Sequence, residues 1–304
     1  MADVVLGVNN GFALKRWPEP EAWAEIVHQE LGLREVQLSF DLLDPAWPAP
    51  CVRQLCQRVV AAAATHDLHI PSTFTGLVAY AQNLLAHPEP DVRDQAAGWF
   101  ASALQVTAMV RADSTGGHWG AFSVRDHADR DRRPALHREL IGRVQGLAVQ
   151  AKELGLASLL WEPMPVPREM PHTIDEAVAM LAEVNDGTGV PIRLCLDLGH
   201  CCAEDVAPSG DPHAWLEQLL PWTDVVHLQQ TDGRGDHHWP FTRAFAGSGI
   251  VDPVRVLEIA RRSSRPTVHL FLEICHPHET PDRRVLDDLK ESVDTWVRAG
   301  ARIR

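Results

Sequence analysis

Four residues of types that bind metals or move protons end four apolar runs. Glu162 follows LLW, Asp197 follows LCL, His227 follows VV and Glu273 follows LFL, with separations of 35, 30 and 46 residues. Three carboxylates gathered in an apolar surrounding would each be costly to desolvate and would repel one another. Protons or a cation must compensate. No Lys or Arg lies within these four segments near the acids, apart from Arg193 at the start of its run. A divalent cation is the simpler solution. Three oxygen donors and one imidazole suit Mn²⁺, Mg²⁺ or Co²⁺ better than a closed structural zinc site, which favours sulfur and nitrogen. Coordination positions would stay open for substrate oxygens.

Such a set can meet only if the four runs are neighbouring strands that end at one place. Short apolar runs alternate with amphipathic stretches along most of the chain. Strands are expected at Asp3–Asn10, Arg34–Phe40 and His69–Thr75, near Val106–Ser114, and at Ser158–Met164. IRLCLDLG, DVVHLQQ and HLFLEI supply three more. Among the intervening helices, one is stopped by Gly155, and another opens on Thr173 with Glu176 three residues on, a capping box. The runs are mostly continuous rather than alternating, as in parallel strands covered on both faces. Eight strand–helix units predict an α/β fold of (β/α)8 (TIM) barrel type, one domain over residues 1–304. A doubly wound sheet would carry a GxGxxG turn after its first strand, and VNNGFALKRW has a single glycine. In a barrel the three acids and the imidazole converge at the C-terminal strand ends. Two long irregular stretches, Gly116–Arg133 and Thr231–Gly249, follow strand ends there.

The formal net charge of −13 argues against nucleic acid and against an anionic membrane as partners. Six cysteines without a CxxC pair read as free thiols. MADVVLGVNN lacks the basic and long apolar regions of a signal peptide, and no apolar stretch reaches membrane-spanning length, so the expected location is cytoplasmic.

The runs LLWEP, LCLDLGH, VVHLQQTD, GSGIVD (Gly247–Asp252) and LFLEIC resemble the xylose-isomerase-like superfamily of sugar and sugar-phosphate isomerases and epimerases, which includes the ketose 3-epimerases. The resemblance covers mainly Ser158–His276. It implies that Glu162, Asp197, His227 and Glu273 bind the metal, and that Glu162 and Glu273 also shuttle the substrate proton. His200 would contact substrate, and Arg234 would stand near the place of a family arginine. The stretch HLQQTDGRGDHHWPF looks most like members that handle erythrulose phosphates.

The expected activity is isomerisation or epimerisation of a ketose or small ketose phosphate, by proton transfer through a metal-stabilised enediolate. Delivery from the same face at the adjacent carbon isomerises; delivery from the opposite face at the same carbon epimerises. His118, Trp119, Arg168 and Lys15 join His200 and Arg234 as candidate substrate contacts, and a phosphate would need cations such as Lys15, Arg16, Arg168, Arg234 or Arg243 away from the acids. Asp236 and His238 form a DxH pair like the extra metal ligands of endonuclease IV-type relatives, but are expected in a solvated loop. The alternatives are an endonuclease IV-like DNA repair hydrolase, a keto-inositol dehydratase-type lyase and a non-catalytic sugar-binding barrel. Barrels of this superfamily often pair, so a homo-oligomer is expected.

Overall fold

Eight apolar or small-residue runs form strands in the computed structural model, which describes residues 1–187, 189–202 and 210–304. They are β1 (Asp3–Asn9), β2 (Val36–Ser39), β3 (Ser72–Phe74), β4 (Ser114–Gly117), β5 (Ser158–Trp161), β6 (Ile192–Asp197), β7 (Thr223–Leu228) and β8 (Thr267–Leu272). Neighbours in sequence pair in parallel, and β8 pairs with β1, closing a barrel. Among the described residues the connections carry α1 (Pro20–Glu25), α2 (Ala49–Thr65), α3 (Leu77–Tyr80), α4 (Pro90–Met109), α5 (Val124–Ala128), α6 (Arg132–Glu153), α7 (Ile174–Val184), α8 (Pro212–Leu219) and α9 (Pro253–Ala260), and α10 (Asp282–Arg298) closes the chain. No helix among them is long and apolar enough to cross a membrane.

Local chemistry sets several helix ends. Asp211 and Asp252 each precede a proline and accept backbone N–H bonds from the first turns of α8 and α9. Gly155 closes α6 with φ of 80°. At α7 the Thr173 hydroxyl accepts from the Glu176 N–H, while the Glu176 carboxylate reaches back one residue further than expected, to the His172 N–H.

The fourth strand lies elsewhere than its expected place near Val106–Ser114. The apolar, β-branched run there continues the buried face of α4, and the strand is the small, polar Ser-Thr-Gly-Gly. A side chain at Gly116 would collide with the Leu160 backbone of β5, so this strand must lack the bulk that marks a strand in sequence. Cys51, Cys56, Cys195 and Cys275 are free thiols, and the side chain of Cys202 lies outside the described residues.

The barrel interior is layered because strand side chains alternate with period two. Two residues before each of Glu162, Asp197, His227 and Glu273 come Leu160, Cys195, Val225 and Phe271, which pack with Phe74 as a separate buried cluster. This apolar floor supports the acids above it. Strand β2 departs from it: Glu35, Gln37 and Ser39 are all buried polar residues at alternate positions.

At the N-terminal end of the barrel, Glu35 accepts from His269 at 2.6 Å, His69 at 3.2 Å and Arg304 at 2.9 Å. Burial alone would raise its pKa, but the His269 and His69 contacts bring it down to about 2. A depressed carboxylate contributes stability that is present above its unfolded pKa and lost as pH falls through the folded value. Glu35→Ala should therefore cost about 1–3 kcal/mol at neutral pH, because three hydrogen bonds to a buried carboxylate are lost. The difference from wild type should shrink as pH falls below 4 toward 2, measured by urea unfolding.

Candidate metal centre

Glu162 stands one residue beyond β5, Asp197 ends β6, His227 is the next-to-last residue of β7 and Glu273 follows β8. The register pairs Asp197 with His227 directly. One donor atom from each of the four lies within 4.8 Å of the others. His227 Nδ1 is 2.9 Å from a Glu273 oxygen, 3.2 Å from Glu162 and 3.9 Å from Asp197.

The surroundings settle which atoms face inward. The Gln37 carbonyl oxygen accepts from Asn9 at 2.8 Å and lies 2.7 Å from His227 Nε2, so Nε2 carries the proton and donates. With an ion bound the ring would be neutral, its Nδ1 lone pair turned toward the three carboxylates. Asp197 is held in the same manner: one oxygen accepts from Gly199 N–H at 2.6 Å and Gln229 Nε2 at 2.9 Å. Its other oxygen and His227 Nδ1 are buried with no hydrogen-bond partner. Two orphaned donor atoms converging with two further carboxylates are what a divalent cation needs, and the residues fit one.

Protons partly take that role in the ion-free protein. Burial pushes Asp197 up to about 6. Burial opposes a charge on His227, but Cys195 and Glu273 beside it hold its pKa well above the usual imidazole value. Glu273, despite burial, is drawn down to about 2 by His227.

Asp236 and His238 face the centre rather than solvent. In the loop after β7, residues 236 and 238 turn inward, while His237 and Trp239 stack outside with ring centroids 4.1 Å apart, and Trp239 stacks on Phe245. An antiparallel bridge from Gln230 to Trp239 pins this extended segment. Asp236 lies 3.4 Å from His200 Nε2 and 3.2 Å from His238 Nε2. Burial would raise its pKa, yet the two imidazoles hold it far below the usual carboxylate range. Each imidazole has its Nδ1 3.0 Å from a backbone carbonyl, that of Pro163 or Glu273. Gln229 ties this group to the quartet, donating to Asp236 at 2.6 Å as well as to Asp197. A side chain at Gly199 would occupy the place of the Gln229 amide, so the glycine is needed for this close approach. Gln229→Leu should weaken Mn²⁺ binding by about 10–100-fold, as measured by calorimetric titration, since it frees both carboxylates at once.

A cavity of about 200 Å³ opens above the quartet, with Glu162, Glu273, His200, Asp236 and His238 on one wall. The other expected substrate contacts lie apart from it. Trp119 is 1% exposed, stacks on Phe100 at 4.4 Å and donates to the Leu160 carbonyl, which leaves no ring face for a sugar. His118 is buried behind Tyr80, and burial lowers its pKa to about 4. Lys15 and Arg234 are exposed, Arg168 is half-buried, and none of the three lines the cavity. Arg16 does line it, and clamps the Pro277 and Thr280 carbonyls and Asp282.

Several site residues went unread in the sequence: Asn9, Gln37, Gln229, Asp41, Tyr80 and Glu169. Tyr80 is the single tyrosine of the chain and lines the cavity. Burial lifts Glu169, in the loop after β5, to about 7, and its Oε2 is buried without a hydrogen-bond partner.

No family model matches the chain. It is 27% identical over 298 residues to a D-erythrulose 1-phosphate 3-epimerase of Brucella abortus (strain 2308), covering 97% of this chain and 96% of that one. A xylose-isomerase-like protein from Rhodospirillum rubrum, of known structure, is 33% identical with a TM-score of 0.91, covering 98% of this chain and 99% of the other. A D-psicose 3-epimerase from Clostridium cellulolyticum H10 superposes with a TM-score of 0.68 over 98% of this chain and 100% of its own. At 15% identity that last likeness speaks for the fold.

Proposed function

The chain belongs to the xylose-isomerase-like family of barrels, and on that premise we propose that it is a divalent-metal-dependent sugar epimerase that inverts C3 of a short ketose phosphate of the erythrulose 1-phosphate type. One observation carries the reading: Glu162 and Glu273 reach a common centre from β5 and β8, flanking Asp197 and His227 on the two strands between. Two carboxylates approaching from separate strands suit removal of a proton on one face and its return on the other. The named activity of the Brucella abortus relative supports both the reaction and the substrate class.

A divalent ion held by the quartet supplies positive charge to polarise a ketose carbonyl and its neighbouring hydroxyl; Mn²⁺, Mg²⁺ and Co²⁺ suit the donors. One glutamate takes the proton from the carbon beside the carbonyl, and the C–H electrons move toward the carbonyl oxygen. The other glutamate gives a proton to the opposite face of the same carbon, and the configuration inverts. Asn9 Nδ2 holds one Glu273 oxygen at 3.0 Å, fixing the second for this work. His200 and His238, kept in place by carbonyls and by Asp236, stand on the cavity wall and shape the space beside the quartet. Arg16, His276 and His278 are basic residues on the same cavity wall, and a phosphate end would compete with Asp282 for Arg16 and with Asp288 for His276.

The test is erythrulose 1-phosphate with Mn²⁺ in deuterium oxide, followed by NMR. One deuterium at C3 together with growth of the C3 epimer is expected. Label at C2 with the carbonyl moved to C3 would mark an isomerase instead, and absence of any exchange would defeat the assignment.

A further inference from the structure

The floor beneath the quartet is apolar at three strands and carries a thiol at the fourth. Leu160, Val225 and Phe271 lie two residues before their ligands, and Cys195 lies two before Asp197. Cys195 is fully buried. Its Sγ, one Glu162 oxygen and a His227 ring nitrogen all lie within 4.8 Å of one another. The same two ligands are therefore shared by two donor sets, one completed above by Asp197 and Glu273, the other below by sulfur. The fully buried Nδ1 of His227 makes no well-aligned hydrogen bond although carboxylate oxygens stand 2.9 and 3.2 Å from it, an independent sign that the atom is free to ligate a cation.

We propose that Glu162, Cys195 and His227 form a second, softer cradle that captures thiophilic divalent cations such as Cd²⁺ and Zn²⁺, one layer below the oxygen-rich quartet. The inference rests on the quartet being a cation site and adds which cations it rejects. Hard ions keep to carboxylate and imidazole donors; soft ones exchange Asp197 and Glu273 for thiolate. The thiol proton passes to solvent as the metal–sulfur bond forms, with no change in oxidation state. An ion seated there has left Asp197 and Glu273, so Cd²⁺ and Zn²⁺ act as competitors of Mn²⁺ rather than as substitutes for it.

The test titrates Cd²⁺ into wild type, Cys195→Ser, Cys195→Ala and Cys275→Ser, reading ultraviolet thiolate-to-metal charge transfer. Mn²⁺ affinity is measured in parallel by electron paramagnetic resonance, and folding by thermal melts. Cys275 is the control because it is exposed and lines the cavity. The band should appear in wild type and Cys275→Ser and vanish in both Cys195 variants. Cd²⁺ affinity there should drop by about 10-fold or more, with Mn²⁺ affinity unchanged. A wild type that binds Mn²⁺ yet shows no band with Cd²⁺, or a band that survives loss of Cys195, overturns the inference. A Cys195-dependent band in a protein that ignores Mn²⁺ would support the soft cradle and defeat the oxygen-rich reading instead.

Discussion

Glu273→Gln should slow inversion of the substrate by about 10²–10⁴-fold, the range that loss of a positioned acid or base produces. Glutamine keeps the shape of the side chain and an oxygen for Asn9 to hold at the Glu273 position, so positioning survives while the proton acceptor is removed. Saturating Mn²⁺ should not restore the rate, which separates loss of a base from loss of a ligand. A two-base arrangement makes a sharper demand. With Glu162 intact, the epimer that presents its C3 hydrogen to Glu162 should still exchange that hydrogen with solvent, without inverting. Glu162→Gln should show the mirror pattern with the other epimer. Exchange and inversion falling together for both epimers in both variants would mean that one base does all the work.

Removing the metal should abolish turnover and also expose the electrostatic strain of the empty quartet. Mn²⁺ at about 100 times its dissociation constant adds about 2.7 kcal/mol to the folded state. The melting temperature of the chelated protein should rise by several degrees when Mn²⁺ is restored. Asp197, pushed up to about 6 by burial, binds a proton more tightly folded than unfolded. Such a group costs the ion-free protein stability as pH rises from its unfolded value, about 4, through 6. Above pH 6 Asp197→Asn should therefore leave the ion-free protein at least as stable as wild type while erasing the Mn²⁺ shift. Since the ion competes with the Asp197 proton, Mn²⁺ affinity should weaken as pH falls through 6. Scanning fluorimetry over pH, with and without Mn²⁺, checks all three, and a wild-type melt indifferent to Mn²⁺ would remove the basis of the proposal.

The sequence was most legible where an isolated polar residue ended an apolar run. Glu162, Asp197, His227 and Glu273 carry that contrast, and the strand–helix alternation around them implied the barrel. Strand β4 was hidden because close packing against Leu160 required glycine there, while the β-branched end of α4 imitated a strand. Strand β2 was expected where it lies, but its part in the site was not legible. Its alternation of Glu35, Gln37 and Ser39 with apolar neighbours resembles a half-exposed strand, yet the polar side faces the barrel axis and Gln37 orients His227. Asp236 and His238 were unreadable as inward residues because their placement depends on the outer stack of His237, Trp239 and Phe245, a tertiary arrangement with no local signature.

All four quartet residues lie on or directly after strands β5 to β8, whereas Gly11, Phe12, Asp41, Leu77 and Tyr80 on the cavity wall come from the connections after β1, β2 and β3. On the proposed function the barrel would divide its labour by halves, with reactivity in the later half and much of the substrate fit in the earlier one. Exchanging the first three strand-to-helix loops among related barrels would offer a way to redirect which sugar is accepted, provided Asn9 and Gln37 travel unchanged.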